Sequence, residues 1–177
     1  MKIASHDSGK LRRGRRAEQV ILFSIAHETF AIAAESVQEL RSTDSLGGST
    51  EELTHPEIPK VRHTFERGHR TYYVVNACVH FGLPVTRPAL VLILRQLRVS
   101  ILVDRIERMA EIPAVHPLPL AFSGDERRWY RGLAYLDDHV IPVIAPTGFL
   151  KREEFQLLDR VSKEFAAQRE MEGAVQG

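Results

Sequence analysis

The feature that most constrains this chain is that its sequence runs through one pattern twice. The first copy opens with ILFSIAHETFAI and continues into Glu35-Ser36-Val37-Gln38-Glu39-Leu40. The second opens with LVLILRQLRVSILV and continues into Asp104-Arg105-Ile106-Glu107-Arg108-Met109. Each then passes a proline-bearing loop (Pro56 and Pro59; Pro113, Pro117 and Pro119). Each closes with a second hairpin, RHTFERGHRTYYVVN or YRGLAYLDDHVIPVI, and a Phe-containing tail. The pseudo-repeats cover about residues 20–84 and 89–150. Two short all-β units in tandem suggest paired small barrels, and the groove between such barrels is a natural place for a partner.

The local signals agree with this reading. Residues 19–26 carry Val20, Ile21, Leu22, Phe23 and Ile25, a strand signal, and His27-Glu28 is expected to turn the chain back into residues 29–32. Residues 33–40 are expected to form about two helical turns against a barrel end. Residues 42–54, with Gly47-Gly48 and several Ser and Thr, read as a loop. Arg67-Gly68 is expected to join strands 61–66 and 70–76, Gln96-Leu97 to join 89–94 and 98–103, and Asp137-Asp138 to join 130–136 and 139–144. Many short strands with polar turns point to a barrel or sandwich rather than an α/β enzyme.

The ends differ from this body, which is taken as residues 18–150. Residues 10–16 hold five cations, and residues 1–17 read as a flexible basic tail. It could touch nucleic acid or anionic lipid, or simply be solvated. Residues 151–169 are rich in Glu, Lys, Arg, Gln, Leu and Ala, without Gly or Pro. Leu150, Leu157, Val161 and Phe165 recur at helical spacing. A docked terminal helix is expected, ending near Gly173 within the segment 151–177.

Composition excludes several functions. The 177 residues carry a net charge of +1, so the chain has no overall bias toward nucleic acid or membrane. No apolar run approaches the ~20 residues of a membrane-spanning helix, and residues 1–13 lack the apolar core of a secretory signal. The single cysteine, Cys78, cannot form an internal disulfide, which fits a reducing cytoplasm, and it reads as a buried filler. The eight histidines form no i, i+4 helical pair, and His63 and His69 across one hairpin lack a carboxylate partner, so no metal is expected. Asp137 and Asp138 are adjacent, and on a strand would face opposite ways, so turn chemistry explains them better than acid–base catalysis. No phosphate loop or nucleophile motif is present, and neither catalysis nor a cofactor is expected. Phe23, Phe30, Tyr72 and Tyr73 could stack bases on an OB-type face. No cations cluster beside them, and core packing is the better reading.

With these residues in hand, the chain resembles the CheW family of bacterial chemosensory coupling proteins from residue 18 to about residue 165. The segments EQVILFSIAHETFAIAAESVQELR, ERGHRTYYVVNACVHFGLP and VSILVDRIERM carry the resemblance. So do HPLP at 116–119, WYRGL at 129–133 and the tail EEFQLLDRVSKEF. Each motif alone is weak, but six in the family's order are specific. The resemblance implies two SH3-like five-stranded β-barrels sharing a core, with a short helix after the first hairpin and a C-terminal α-helix. It also implies a non-catalytic adaptor linking the cytoplasmic tip of chemoreceptors to the regulatory domain of a CheA-type histidine kinase. Carried over by position, Val37, Glu39, Arg67, Gly68 and Met109 become the receptor-contacting residues, with Arg67 presented at an exposed turn. The family's Asn-Leu before Arg-Gly is Phe65-Glu66 here, and its Asp before the Phe-Gly-Leu-Pro stretch is Asn76. These changes sit near the receptor-facing turn and imply a specialised array, such as one governing twitching. The competing reading is a small β-barrel that binds nucleic acid through the basic tail.

Overall fold

A computed structural model describes residues 17–46 and 50–175. The basic run at 10–16 and Gly47-Gly48 lie outside the described residues. The first half contributes β1 (Glu18–Ile25), β2 (Glu28–Ala33), β3 (Val37–Ser42), β4 (Thr50–Glu52), β5 (Val61–Arg67), β6 (Arg70–Asn76) and a one-turn helix, α1 (Ala77–Phe81). The second contributes β7 (Leu90–Leu94), β8 (Val99–Val103), β9 (Arg105–Ile112), β10 (Tyr130–Leu136), β11 (His139–Ile144) and the terminal helix α2 (Arg152–Val175).

The duplication is realised with an exchange of hairpins. One sheet runs β10-β11-β2-β1-β9 and the other β3-β7-β8-β6-β5-β4. Hairpin β1–β2, from the first half, therefore sits among second-half strands, antiparallel to β9 and parallel to β11. Hairpin β7–β8, from the second half, sits in the mirrored position, antiparallel to β3 and parallel to β6. Apart from β4, the two sheets are built on one plan.

The two-residue side-chain period of a strand then explains the apolar runs. Val20 and Leu22 fill the five-stranded unit with Ala31, Ala134, Ile141 and Val143. Phe65, Tyr72, Val74, Val91 and Ile93 fill the six-stranded one. The alternate residues, including Phe23, Ile25, Tyr73, Val75, Leu92, Leu94, Ile101 and Ile144, form a shared core between the units. Strands such as LVLIL and YYVV are buried on both faces, which is why they read as continuous hydrophobic runs. Phe23, Phe30, Tyr72 and Tyr73 are all buried, so none offers a face to a base.

Several sequence expectations are corrected. Residues 33–40 do not form a helix after the first hairpin. A short 3-10 turn, Ala34–Ser36, leads straight into β3, because the outer edge of β7 takes a strand as partner. The stretch 42–54 is not all loop, since a 3-10 turn at Thr43–Leu46 and strand β4 lie within it, giving six strands in that sheet instead of five. Among the described residues neither ladder closes into a complete barrel, and in the five-stranded sheet one isolated bridge, His116 with Leu133, links the chain beyond β9 to β10.

Two turns are displaced by one residue from their expected places. Ala26-His27 and Gly68-His69, like the correctly placed Asp137-Asp138, have positive φ at both positions, as two-residue hairpins of the I′ type require. Helix α2 runs to Val175, and Leu150, Leu157 and Val161 of the expected stripe pack on the shared core beside the fully buried Leu158, whereas Phe165 is exposed. Among the described residues no helix is long and apolar enough to cross a membrane.

Candidate functional site

The receptor-contacting candidates fall on two strands that end their sheets and on one hairpin. β3 is an edge strand, with its odd-numbered residues half-buried and its even-numbered ones exposed. Val37 pairs with Leu94 and Glu39 with Ile93, with a bulge between. Arg95 fixes the start of the strand. Its backbone N–H donates to the Ser36 carbonyl at 2.8 Å and its Nε to the Glu35 carbonyl at 3.0 Å. A groove of about 510 Å³ opens here, lined by Glu35, Ser36, Arg95, Gln96, Leu97, Pro146 and Thr147. It draws on both halves of the sequence.

Glu39 and Arg67 meet across the gap between β3 and β5. Nη2 of Arg67 lies 2.8 Å from Oε2 of Glu39, while Nε of Arg41 lies 2.5 Å from Oε1. The Arg41 hydrogen bond, reinforced by the charges of Arg41 and Arg67, holds the Glu39 carboxyl below the usual carboxylate range. Arg67 is therefore not a free turn residue. It ends β5, its side chain is 30 % exposed, and its Nη1 is buried without an acceptor among the described residues. Gly68 occupies the turn itself, with φ of 55°. This ion pair joins β3 to β5 in the place where the His116–Leu133 bridge joins the other sheet.

Met109 stands apart from that pair. It lies on β9, opposite Ile21 in the other sheet, and is 60 % exposed. β9 and β3 hold equivalent positions in the two halves, so Met109 and the exposed Leu40 are an apolar side chain on each edge strand. The structure brings Glu39, Arg67 and Gly68 together, with Val37 farther along the same strand.

The positioning roles of Asp104, Asn76 and Gly82 escaped the sequence reading. Asp104 follows β8 and accepts the Ala26 N–H at 2.7 Å and the Thr86 hydroxyl at 2.6 Å. Its own N–H donates to the Ser24 carbonyl. It thus pins the β1–β2 turn to the segment joining the two halves. Asn76 caps α1, its Oδ1 accepting the Val79 N–H at 3.3 Å, and Gly82 ends that helix with φ of 66°. The Asn-to-Gly spacing was a legible cap signal for a very short helix. Cys78 is buried in α1, with Sγ 3.4 Å from the Thr86 hydroxyl. His63 and His69 are exposed, and no cluster of metal-ligating side chains occurs among the described residues.

The geometry is that of a duplicated β scaffold with charged and apolar groups set on its edges, and comparison with known proteins agrees. A model of the CheW-like domain matches residues 19–154, and the chain belongs to that family. Among solved structures, the scaffolding protein TtCheW from Thermoanaerobacter tengcongensis superposes with a TM-score of 0.63 at 18% identity. The match covers 77% of this chain and 94% of that one. No curated protein sequence matches this chain.

Proposed function

We propose that this protein is a non-catalytic adaptor that couples the cytoplasmic tip of chemoreceptors to a CheA-type histidine kinase. Family membership across residues 19–154 supports the class of function. The observation that carries the receptor side is the Glu39–Arg67 pair, held at fixed geometry on an open strand edge beside exposed Leu40. A receptor helix laid along the face of β3 that carries Glu39 would meet that oriented ion pair. Val37, Glu39, Arg67, Gly68 and Met109 are the proposed contact set. The kinase would engage another face, an end of the paired β units, in a contact burying on the order of 1,200–2,000 Å² in total.

Affinity measurements on one variant against both partners test this reading. A charge-assisted hydrogen bond contributes about 1.5–3 kcal/mol. Arg67→Ala should therefore weaken receptor binding by about tenfold or more. Kinase affinity should stay within about twofold, the limit we set for an untouched contact given that each tenfold is ~1.4 kcal/mol. Unchanged receptor affinity, or equal losses toward both partners, would remove Arg67 from the receptor site. Failure to bind any CheA-type kinase of the same genome at ~100 μM, a concentration that detects even contacts much weaker than ~1 μM, would overturn the adaptor reading itself.

A further inference from the structure

Helix α2 crosses the six-stranded sheet beside β6 and the β7–β8 turn and leaves a cleft of about 620 Å³ at that junction. Its charged lining consists of Arg70 from β6, Arg98 from the β7–β8 turn, and Asp159 and Lys163 from α2. Three of these side chains are cationic and one is anionic, an excess of two positive charges.

The single carboxylate is already occupied. Asp159 receives both Nη1 and Nη2 of Arg98 at 2.8 Å and the hydroxyl of Tyr73. Arg98 is likewise committed, because its guanidinium also lies 5.5 Å from the Tyr73 ring centre and 5.7 Å from that of Phe155. These bonds hold the Asp159 carboxyl below its usual range, with the Arg98 hydrogen bonds as the largest cause. The triad is therefore a rigid, charge-satisfied floor. Arg70 and Lys163 are exposed and make no ion pair among the described residues. Glu66, outside the lining, accepts the Thr71 hydroxyl.

We propose that this cleft receives an acidic peptide segment of a partner protein, as a contact surface separate from the β3 edge. A guanidinium and an ammonium on different elements, facing one concavity, suit carboxylates. The half-buried Phe155 ring and Leu97 offer apolar surface to the methylene stem of a Glu. Gln96 and Ser162 add neutral polar groups on the wall. A nucleic acid would instead need cations tracking a phosphate backbone beside exposed rings, and this cleft confines its free cations to one place.

Fluorescence anisotropy of the full chain with labelled hexaglutamate, hexaglutamine and a short oligothymidylate tests the assignment. Hexaglutamate binds, hexaglutamine does not, and added salt weakens the complex because exposed charges are screened. Charge reversal of both free cations, in the double variant R70E/K163E, lowers hexaglutamate affinity by about tenfold or more. Both side chains are exposed, so the melting temperature stays unchanged. Lys163→Ala alone gives a smaller loss in the same direction. Unchanged affinity in R70E/K163E overturns the proposal, as does equal binding of hexaglutamine. So does no binding of hexaglutamate at millimolar concentration, or an oligothymidylate complex that is tighter and is lost in the same double variant.

Discussion

His80 sits in a box of rings, with centroids 4.7 Å from Phe81, 4.7 Å from Trp129 and 5.0 Å from Phe149. It is 7% exposed, and its Nε2 has no hydrogen-bond partner among the described residues. Burial, with a smaller contribution from the Lys60 charge, pushes its pKa from 6.5 down to about 3. The unfolded chain binds this proton below pH 6.5, whereas the folded chain resists it until about pH 3. The stability that neutral His80 permits is therefore complete above 6.5 and drains away as pH falls through that window. At ~1.36 kcal/mol per pH unit, the loss by pH 5 is about 2 kcal/mol. Urea unfolding at pH 7 and pH 5 should show that loss in the native protein, and His80→Leu should remove about that much of the pH dependence. An equal pH dependence in both would mean that His80 is hydrated or protonated in the folded state. Asp104 tests a different residue-scale idea. Its carboxylate holds an Ala26 N–H in a turn where Ala26 has φ of 51°, a conformation Ala seldom adopts. Asp104→Ala leaves that donor unmatched and the Thr86 hydroxyl with only the Cys78 sulfur as partner, and should cost about 1–3 kcal/mol, read from the urea midpoint.

At the scale of elements, the glycine of WYRGL shows how one residue sets a strand's reach. A Cβ on Gly132 would stand 2.1 Å from the His116 carbonyl oxygen and 2.7 Å from a Val115 methyl. Its φ of 156° adds strain for any other residue. The bridge that ties β10 to the chain beyond β9 thus depends on a missing side chain. Gly132→Ala should break it, destabilising the fold by about 1–3 kcal/mol, with early hydrogen exchange at the His116 and Leu133 amides. Helix α2 is fastened in a more legible way. Lys60 pairs with Glu154, Arg98 with Asp159, and Arg169 with Glu51, so its length runs from the loop before β5 to β4. Strands with dense apolar runs, and α2 with its charged surface, were readable because burial imposes a period on sequence. The strand β3 was not. SVQELR carries both a helix former's composition and an alternating pattern, and only the need of β7 for an edge partner selects the strand. Arg67 was legible as a candidate but not in its setting, since its partner Glu39 lies 28 residues earlier and the gap they span exists only in the folded sheet.

For the whole molecule, the hairpin exchange governs stability. Neither half contains a complete sheet. Without residues 87–177 the first half keeps β3, β5 and β6 but loses the β7–β8 hairpin that lies between β3 and β6, while β1–β2 lose both neighbours. The shared core would open as well, because Phe23, Ile25, Tyr73 and Val75 come from one half and Leu92, Leu94, Ile101 and Ile144 from the other. Each buried aliphatic or aromatic side chain contributes about 1.5–3 kcal/mol. Full exposure of eight such groups would forfeit about 12–24 kcal/mol, as large as the about 5–15 kcal/mol that typically holds a domain together or larger. The full chain should therefore unfold in one transition, with near-UV circular dichroism and backbone signals coincident in urea. Residues 1–86 and 87–177 expressed apart should lack fixed tertiary structure, shown by collapsed amide dispersion in NMR spectra. The same two fragments expressed together should form a 1:1 complex that regains the spectrum of the intact protein, because the exchanged hairpins need no covalent link between the halves to find their places. A first fragment that folds alone, or two separate unfolding transitions, would show that each half carries a sufficient core and that the exchange is incidental to stability.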